Sequence, residues 1–167
     1  SLFDEQVFLR PYNGKVLKAI DYEISRGCIY TCSYCVETII QRYYGFKENN
    51  KNGTLLNFKN YLRNKSAKVI FNEITKLNSD LGIELFRCQD TNFLTIDKST
   101  LIELAELIYD SNLDIKLYIE TRAEGINIKT LELLKKLKVD GVGMGVELSD
   151  QNFRETRAIS ILIFKIV

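Results

Sequence analysis

The chain has 167 residues, of which 46% are hydrophobic and 27% charged, the composition of one globular domain with a core of its own. Its 23 Lys and Arg residues against 22 Asp and Glu residues leave a net charge of +1, so the overall charge gives no electrostatic reason to expect binding to nucleic acid or a membrane surface. No segment reaches the about 18 consecutive apolar residues of a membrane span, and the first residues lack a signal-peptide pattern, so a cytoplasmic location is expected.

The first predicted elements place a cysteine-rich loop at the end of a strand. Residues 1–17 are predicted to be a lead-in linker and residues 18–167 the core domain, with an Asn-Gly turn inside the linker. Within the core, the first strand is predicted over 18–25 and the first helix over 34–44. The loop between them contains three of the four cysteines, in a chain that has no histidine.

The remainder predicts helices and strands in alternation. Residues 47–68 are polar and basic, as a contact with RNA phosphates would require, but their only interleaved aromatics are Phe58 and Tyr61, so an exposed solvated loop is predicted. Ser66 is predicted to cap a helix that ends at Gly82. Further strands are predicted over 83–88, 114–120 and 142–147, and further helices over 97–112 and 128–140, the last closed by Gly141. Because a parallel strand needs a crossover long enough to hold a helix, this order predicts an α/β fold with a parallel sheet.

Polar or metal-binding residues follow every strand of the predicted sheet. They are Cys28 to Cys35, Gln89 with Asp90, Glu120 to Arg122, and Glu147. Each of them alone would pass for a solvated loop residue. The loops at the carboxyl ends of parallel strands converge, however, so the set predicts one site at that end of the sheet.

Glycines interrupt the last predicted strand at Gly141, Gly143 and Gly145. They do not meet the G-x-G-x-x-G pattern of a dinucleotide loop. Glycine inside a strand more often marks the close approach of a ligand or of another backbone.

The cysteine spacing C-x3-C-x2-C admits several chemistries. Thiolates of Cys28, Cys32 and Cys35 can hold three irons of a 4Fe-4S cluster, which leaves the fourth iron open to a small molecule. Zinc is an alternative, and its usual four ligands would then require Cys88. A dithiol redox pair of Cys32 and Cys35 is a third, which leaves Cys28 without a role.

The cysteine motif in its context resembles the radical S-adenosylmethionine (radical SAM) superfamily. The similar segments are, in chain order, EISRGCIYTCSYC, YLRNKSAKVIFNEI, FRCQDTNF, ETRAEG and GVGMGVE. They are most similar to the subgroup that includes cobalamin-dependent radical SAM enzymes and methylthiotransferase-like proteins. The resemblance covers about residues 18–155 and implies a partial radical SAM (β/α) barrel with parallel strands. About four of the six βα units are expected, so that the chain would be truncated, and its tail over 157–167 departs from the family.

The resemblance also implies function. Members bind a 4Fe-4S cluster and SAM, and reductive cleavage of SAM produces methionine and a 5'-deoxyadenosyl radical. The electron would come from a donor such as flavodoxin or ferredoxin. Cobalamin would be bound, if it is used, by a domain absent from this chain. The substrate is not implied, because substrate contacts in this family lie largely outside the core.

Carried over residue by residue, the resemblance assigns Cys28, Cys32 and Cys35 to the cluster and a second set to SAM. Tyr34 matches an aromatic residue whose backbone lies beside the adenine. Gln89 and Asp90 stand where many members have Gly-Gly-Glu, which contacts the SAM amino group. The other candidates are Glu120, Glu147 for the ribose or SAM itself, and Arg122 and Arg154 for the methionyl carboxylate. The alternative for Glu120 is an ion pair with Arg122. The alternative for Arg154 is a solvated position at the start of a helix.

Overall fold

The computed structural model describes residues 5–49 and 53–145. Its strands are β1 (Leu9–Tyr12), β2 (Lys15–Tyr22), β3 (Ser25–Arg26), β4 (Glu48–Asn49), β5 (Thr54–Leu55), β6 (Arg63–Asn64), β7 (Leu85–Cys88), β8 (Lys116–Glu120) and β9 (Val139–Gly143). Its α-helices are α1 (Val36–Tyr43), α2 (Ala67–Leu81), α3 (Lys98–Asp110) and α4 (Ile128–Lys136). No helix within these ranges is long and apolar enough to cross a membrane. Glu147, Arg154 and the predicted tail lie outside the described residues.

A five-stranded sheet with the order β1-β2-β7-β8-β9 forms the centre of the fold. Strands β2, β7, β8 and β9 run parallel, and β1 pairs antiparallel with β2. Helices α2, α3 and α4 connect successive parallel strands. The prediction of an α/β fold with a partial barrel of parallel strands is therefore confirmed.

Part of the predicted lead-in segment belongs to this sheet. Strand β2 begins at Lys15, three residues before the predicted start. A tight turn connects it to the preceding strand β1. Asn13 and Gly14 both have positive φ, 49° and 75°, as a two-residue hairpin turn of this hand requires. The Asn-Gly turn is confirmed, and its consequence is an added edge strand.

One face of the sheet packs against the helices and forms the hydrophobic core. The fully buried side chains include Phe86, Leu117 and Ile119 from the strands and Ile70, Ile74, Leu104, Ile108 and Leu134 from the helices. Burying each of them contributes about 1.5–3 kcal/mol relative to exposure. These positions recur every three or four residues in α2 and α3, which is why the sequence pattern located both helices.

The helix ends follow local rules at some positions and depart from them at one. Ser66 caps α2 by accepting a hydrogen bond from the Val69 amide, and Gly82 ends that helix with φ 66°, both as predicted. The prediction that Gly141 caps α4 is wrong. That helix ends at Lys136, Lys138 takes the left-handed conformation with φ 58°, and Gly141 lies inside β9.

The glycines of β9 make room for a tyrosine of the neighbouring strand. A Cβ on Gly141 would lie 2.8 Å from Cδ2 of Tyr118 and 2.6 Å from the hydroxyl of Tyr12. A Cβ on Gly143 would meet the Tyr118 hydroxyl. At Gly141 and Gly143 the close approach is that of tyrosine side chains, and Gly143 and Gly145 also line the cavity described below.

The basic segment 47–68 is more ordered than the predicted exposed loop. It contains β4 and β5, which form a hairpin, and β6, which pairs with β3. The Leu55 amide donates to the Ile29 carbonyl at 2.7 Å, and the Thr31 amide donates to the Gly53 carbonyl at 2.9 Å. Leu55 itself is buried. This segment therefore packs along the cysteine loop and helps to shape it.

Candidate functional site: a cysteine-lined cavity

A cavity of about 440 Å³ opens at the carboxyl ends of the parallel strands. The loops that follow β2, β7, β8 and β9 all contribute to its wall. Its lining residues are Cys28, Tyr30, Cys32, Tyr34, Cys35, Thr91, Asn92, Tyr118, Glu120, Thr121, Arg122, Ala123, Gly143, Met144 and Gly145. The structure thus brings the predicted strand ends together around one space.

The cysteine loop enters α1 through a short network of hydrogen bonds. Cys35 is the N-cap residue, and its amide donates to the Cys32 carbonyl at 3.1 Å. The Thr38 amide donates to the Cys35 carbonyl at 3.1 Å, and the Thr38 hydroxyl donates to the Cys32 carbonyl at 2.8 Å. These bonds hold Cys32 and Cys35 at the amino end of the helix.

Gln41 holds the other part of the loop. Its Nε2 donates to the carbonyl of Cys28 at 2.8 Å and to that of Tyr30 at 3.1 Å, and the side chain is buried. Helix α1 therefore buries its polar side, whereas Ile39 and Tyr43 are 66% and 84% exposed. Sequence reasoning missed Gln41. The available signal was a Thr and a Gln three residues apart, a spacing that places both on one side of the helix.

The thiols of the loop are close enough to influence each other. Burial raises the pKa of Cys28 to about 11, with a hydrogen bond from the Tyr30 backbone opposing it and the charges of Cys32, Glu37 and Cys35 adding to it. At neutral pH this thiol is protonated, so a metal must displace the proton when it binds. All four cysteines are free thiols.

Arg122 links the end of β8 to the cysteine loop. Its Nη1 donates to Sγ of Cys32 at 3.1 Å, and its Nη2 lies 2.6 Å from Oε1 of Glu124. The guanidinium carbon lies 4.2 Å from the centre of the Tyr30 ring. Burial lowers the pKa of Arg122, but the bond to Glu124 and the charges of Cys32 and Glu124 raise it above its usual value. The guanidinium is therefore charged at any physiological pH.

Two of the predicted SAM contacts do not line the cavity. Asp90 is buried beneath it, where Oδ1 accepts from the Ser25 amide at 2.5 Å and from the Ser25 hydroxyl at 2.6 Å. Burial raises the pKa of Asp90, and the bonds from Ser25 oppose that rise. Gln89 is exposed, and its Nε2 donates to Oδ1 of the exposed Asp21 at 2.9 Å. Both residues thus have partners within the fold.

The cavity wall contains Asn92 and Thr121 instead of Gln89 and Asp90. The Thr121 hydroxyl donates to Oδ1 of Asn92 at 2.7 Å, and both residues are buried at the cavity. Tyr34 and Glu120 also line it, as the sequence predicted. No sequence signal separated Asn92 from Gln89, because both residues lie in one polar run after β7.

The zinc interpretation is contradicted. Cys88 is fully buried in the hydrophobic core and does not line the cavity. Across 5–49 and 53–145, which include all four cysteines, no three His, Cys, Asp or Glu residues could hold one metal ion. A 4Fe-4S cluster makes a different demand, because each thiolate binds a different iron and the sulfurs need not converge on one point. Three soft thiols around one cavity fit that group.

Comparison with known proteins identifies the family. The Radical SAM superfamily matches over residues 22–160, which is most of the chain. The chain belongs to the radical SAM superfamily. Members of this superfamily use a 4Fe-4S cluster and SAM, the two cofactors that the resemblance implied.

Relatives of this radical SAM chain are much longer than it is. Over 142 residues it is 28% identical to the anaerobic magnesium-protoporphyrin IX monomethyl ester cyclase of Synechocystis sp., a match that covers 84% of this chain and 24% of the cyclase. The chain therefore spans about a quarter of the length of that relative.

Solved structures show the same fold. The radical SAM methyltransferase TsrM from Kitasatospora setae, solved with tryptophan and a SAM analogue, matches with TM-score 0.62 and 17% identity over 85% of this chain and 24% of TsrM. A second TsrM structure, with cobalamin and a [4Fe-4S] cluster bound, matches with TM-score 0.62 and 16% identity over 86% of this chain and 24% of TsrM.

Proposed function

We propose that this chain is the core of a radical SAM enzyme that binds a 4Fe-4S cluster through Cys28, Cys32 and Cys35 and cleaves SAM reductively. The observation that carries the proposal is that all three cysteines line one cavity with the ends of the other parallel strands. When bound, the reduced cluster supplies the electron for cleavage of SAM to methionine and a 5'-deoxyadenosyl radical. The substrate that this radical attacks is not assigned.

The residues of the chain have separate tasks in this proposal. The three thiols, once deprotonated, would hold three irons of the cluster. Thr38 and Gln41 orient the loop that carries them. No histidine or serine is required for catalysis, because the cofactors carry the radical chemistry and the protein supplies binding and orientation.

The walls of the cavity supply the candidate SAM contacts. Tyr34 is half-exposed at its rim and offers its backbone to the adenine, and the Glu120 carboxylate can accept from a ribose hydroxyl or the ammonium. The buried Asn92 and Thr121 add polar groups to the same wall. Gln89, Asp90, Arg122, Glu147 and Arg154 stay predictions for SAM binding.

Cobalamin and the electron donor both lie outside the residues described here. TsrM has been solved with cobalamin bound, and this similarity supports a cobalamin-dependent reaction in which the cobalamin is held outside the residues described here. A flavodoxin or ferredoxin is the proposed electron donor. The cytoplasm, where thiols stay reduced, is the proposed location.

Anaerobic reconstitution with iron and sulfide tests the proposal. The chain should bind about four irons, with the visible absorption of a 4Fe-4S cluster. The Cys32→Ala variant should lose this iron, and the matched Cys88→Ala variant should keep it. Dithionite and SAM should then give 5'-deoxyadenosine, measured by chromatography. A chain that binds no iron, or that binds it equally in both variants, would refute the proposal.

A further inference from the structure

Arg122 is held from three sides beside a proposed cluster ligand. Its Nη1 donates to Sγ of Cys32 at 3.1 Å, Glu124 pairs with its Nη2 at 2.6 Å, and the Tyr30 ring lies 4.2 Å from its guanidinium carbon. The side chain is only 18% exposed. A long and normally mobile side chain is thus fixed with one N–H directed at a sulfur.

Once the cluster is bound, the charge of Arg122 acts on a thiolate ligand in a partly water-excluded setting. The attraction between opposite charges is much weaker in bulk water than beside a buried wall of protein, where the dielectric constant is low. Reduction of an iron-sulfur cluster adds one negative charge, and part of that charge resides on the sulfurs. A cation that donates a hydrogen bond to a ligand sulfur therefore stabilises the reduced form more than the oxidised form.

We infer that Arg122 is a positioning residue whose charge, directed at Cys32 by its hydrogen bond, raises the reduction potential of the cluster. The inference rests on the proposed function, because it requires the cluster to be bound at Cys28, Cys32 and Cys35. It gives Arg122 a role that does not depend on SAM. Tyr30 and Glu124 act indirectly, since they hold the guanidinium in the orientation that reaches the sulfur.

The test is a redox titration of the reconstituted full chain without SAM, followed by electron paramagnetic resonance. The Arg122→Met variant removes the charge and the donors and retains an apolar side chain against Tyr30. Its midpoint potential should be lower by about 59 mV, which for a one-electron couple is a tenfold change in the reduction equilibrium. Arg122→Lys keeps the charge, and its potential should lie between those of the wild type and Arg122→Met.

Arg42→Met is the matched control. It removes the same charge from an exposed arginine of α1, whose side chain is 64% exposed, and should leave the potential unchanged. A wild-type potential in Arg122→Met with its full iron content would overturn the inference. If Arg122→Met does not retain iron, Arg122→Gln, which keeps N–H donors without charge, is compared with Arg122→Lys. Equal potentials in those two variants would also overturn it.

The result separates this inference from the proposed function. A wild-type chain that binds no cluster removes the proposed function itself, before any potential is measured. A chain that binds the cluster with a potential indifferent to Arg122 removes only the inference. A SAM titration of the same variants completes the comparison: weaker SAM binding with an unchanged SAM-free potential would assign Arg122 to the SAM carboxylate instead.

Discussion

The Gln41→Met variant tests whether the Gln41 side chain, on helix α1, holds the cysteine loop. Methionine is unbranched and of similar length, so it fills the same buried space but donates no hydrogen bond. The carbonyls of Cys28 and Tyr30, which Gln41 Nε2 reaches at 2.8 and 3.1 Å, would lose this donor. The part of the loop that contains Cys28 and Tyr30 should then lose its hydrogen bonds to the helix.

The expected cost follows from these two bonds. Each contributes about 1 kcal/mol net, and a buried acceptor left without a donor costs about 1–3 kcal/mol. One contribution opposes them: Oε1 of Gln41 is buried and has no hydrogen-bond partner among the described residues, so its removal recovers part of the cost. The net loss in free energy of unfolding should be about 2 kcal/mol, which for a chain of this size lowers Tm by about 4–8 °C.

Chemical denaturation of the metal-free chain, followed by circular dichroism, measures this loss. Gln41→Glu should be at least as destabilised, because a carboxylate has no hydrogen to donate to either carbonyl. Arg42→Met, at the neighbouring exposed position, should stay within about 0.5 kcal/mol of the wild type. If Gln41→Met unfolds with wild-type free energy, the side chain does not hold the loop and the reasoning fails.

Two further predictions concern the sheet and the first long helix. Gly143→Ala should lose about 1–3 kcal/mol of stability because its Cβ meets the Tyr118 hydroxyl, and most of that loss should disappear in a Tyr118→Phe background; a loss of equal size in both backgrounds would contradict the proposed clash. Glu73 accepts hydrogen bonds from Lys65 and then Tyr22, which lower its pKa below 4.5. Its contribution, at most about 1 kcal/mol because the pair is partly exposed, should be complete above pH 5 and disappear as pH falls through the lowered pKa. Denaturation of wild type and Glu73→Gln across pH 3–7 measures it, and a stability difference that persists at the acidic end would exclude this linkage.

Local sequence was sufficient for the elements whose signals are local. The apolar spacing of α2 and α3, the cap at Ser66 and the turn at Asn13 each depend on a few neighbouring residues. Hydrophobic period, capping and turn chemistry act within one or two helical turns, so they can be recognised without a fold. At the end of α4 these rules failed, because Lys138 took the left-handed conformation that a glycine was expected to provide.

The cavity required the tertiary structure. Sequence order placed Gln89, Asp90 and Asn92 in one polar run, and only the folded path of the loop after β7 decides that Asn92 lines the cavity while Asp90 is buried against Ser25. The bond from Arg122 to Cys32 joins residues 90 positions apart, a pairing that no local pattern contains.

The sequence by itself thus determined the alternation of strands and helices and the cysteine motif, because these depend on period and spacing along the chain, and the resemblance of its motifs indicated the family. The tertiary structure alone decided which polar side chains share the cavity and which cation faces a thiol. Those choices depend on side-chain direction and on strand register, where a shift of one residue turns every side chain to the opposite face of the sheet.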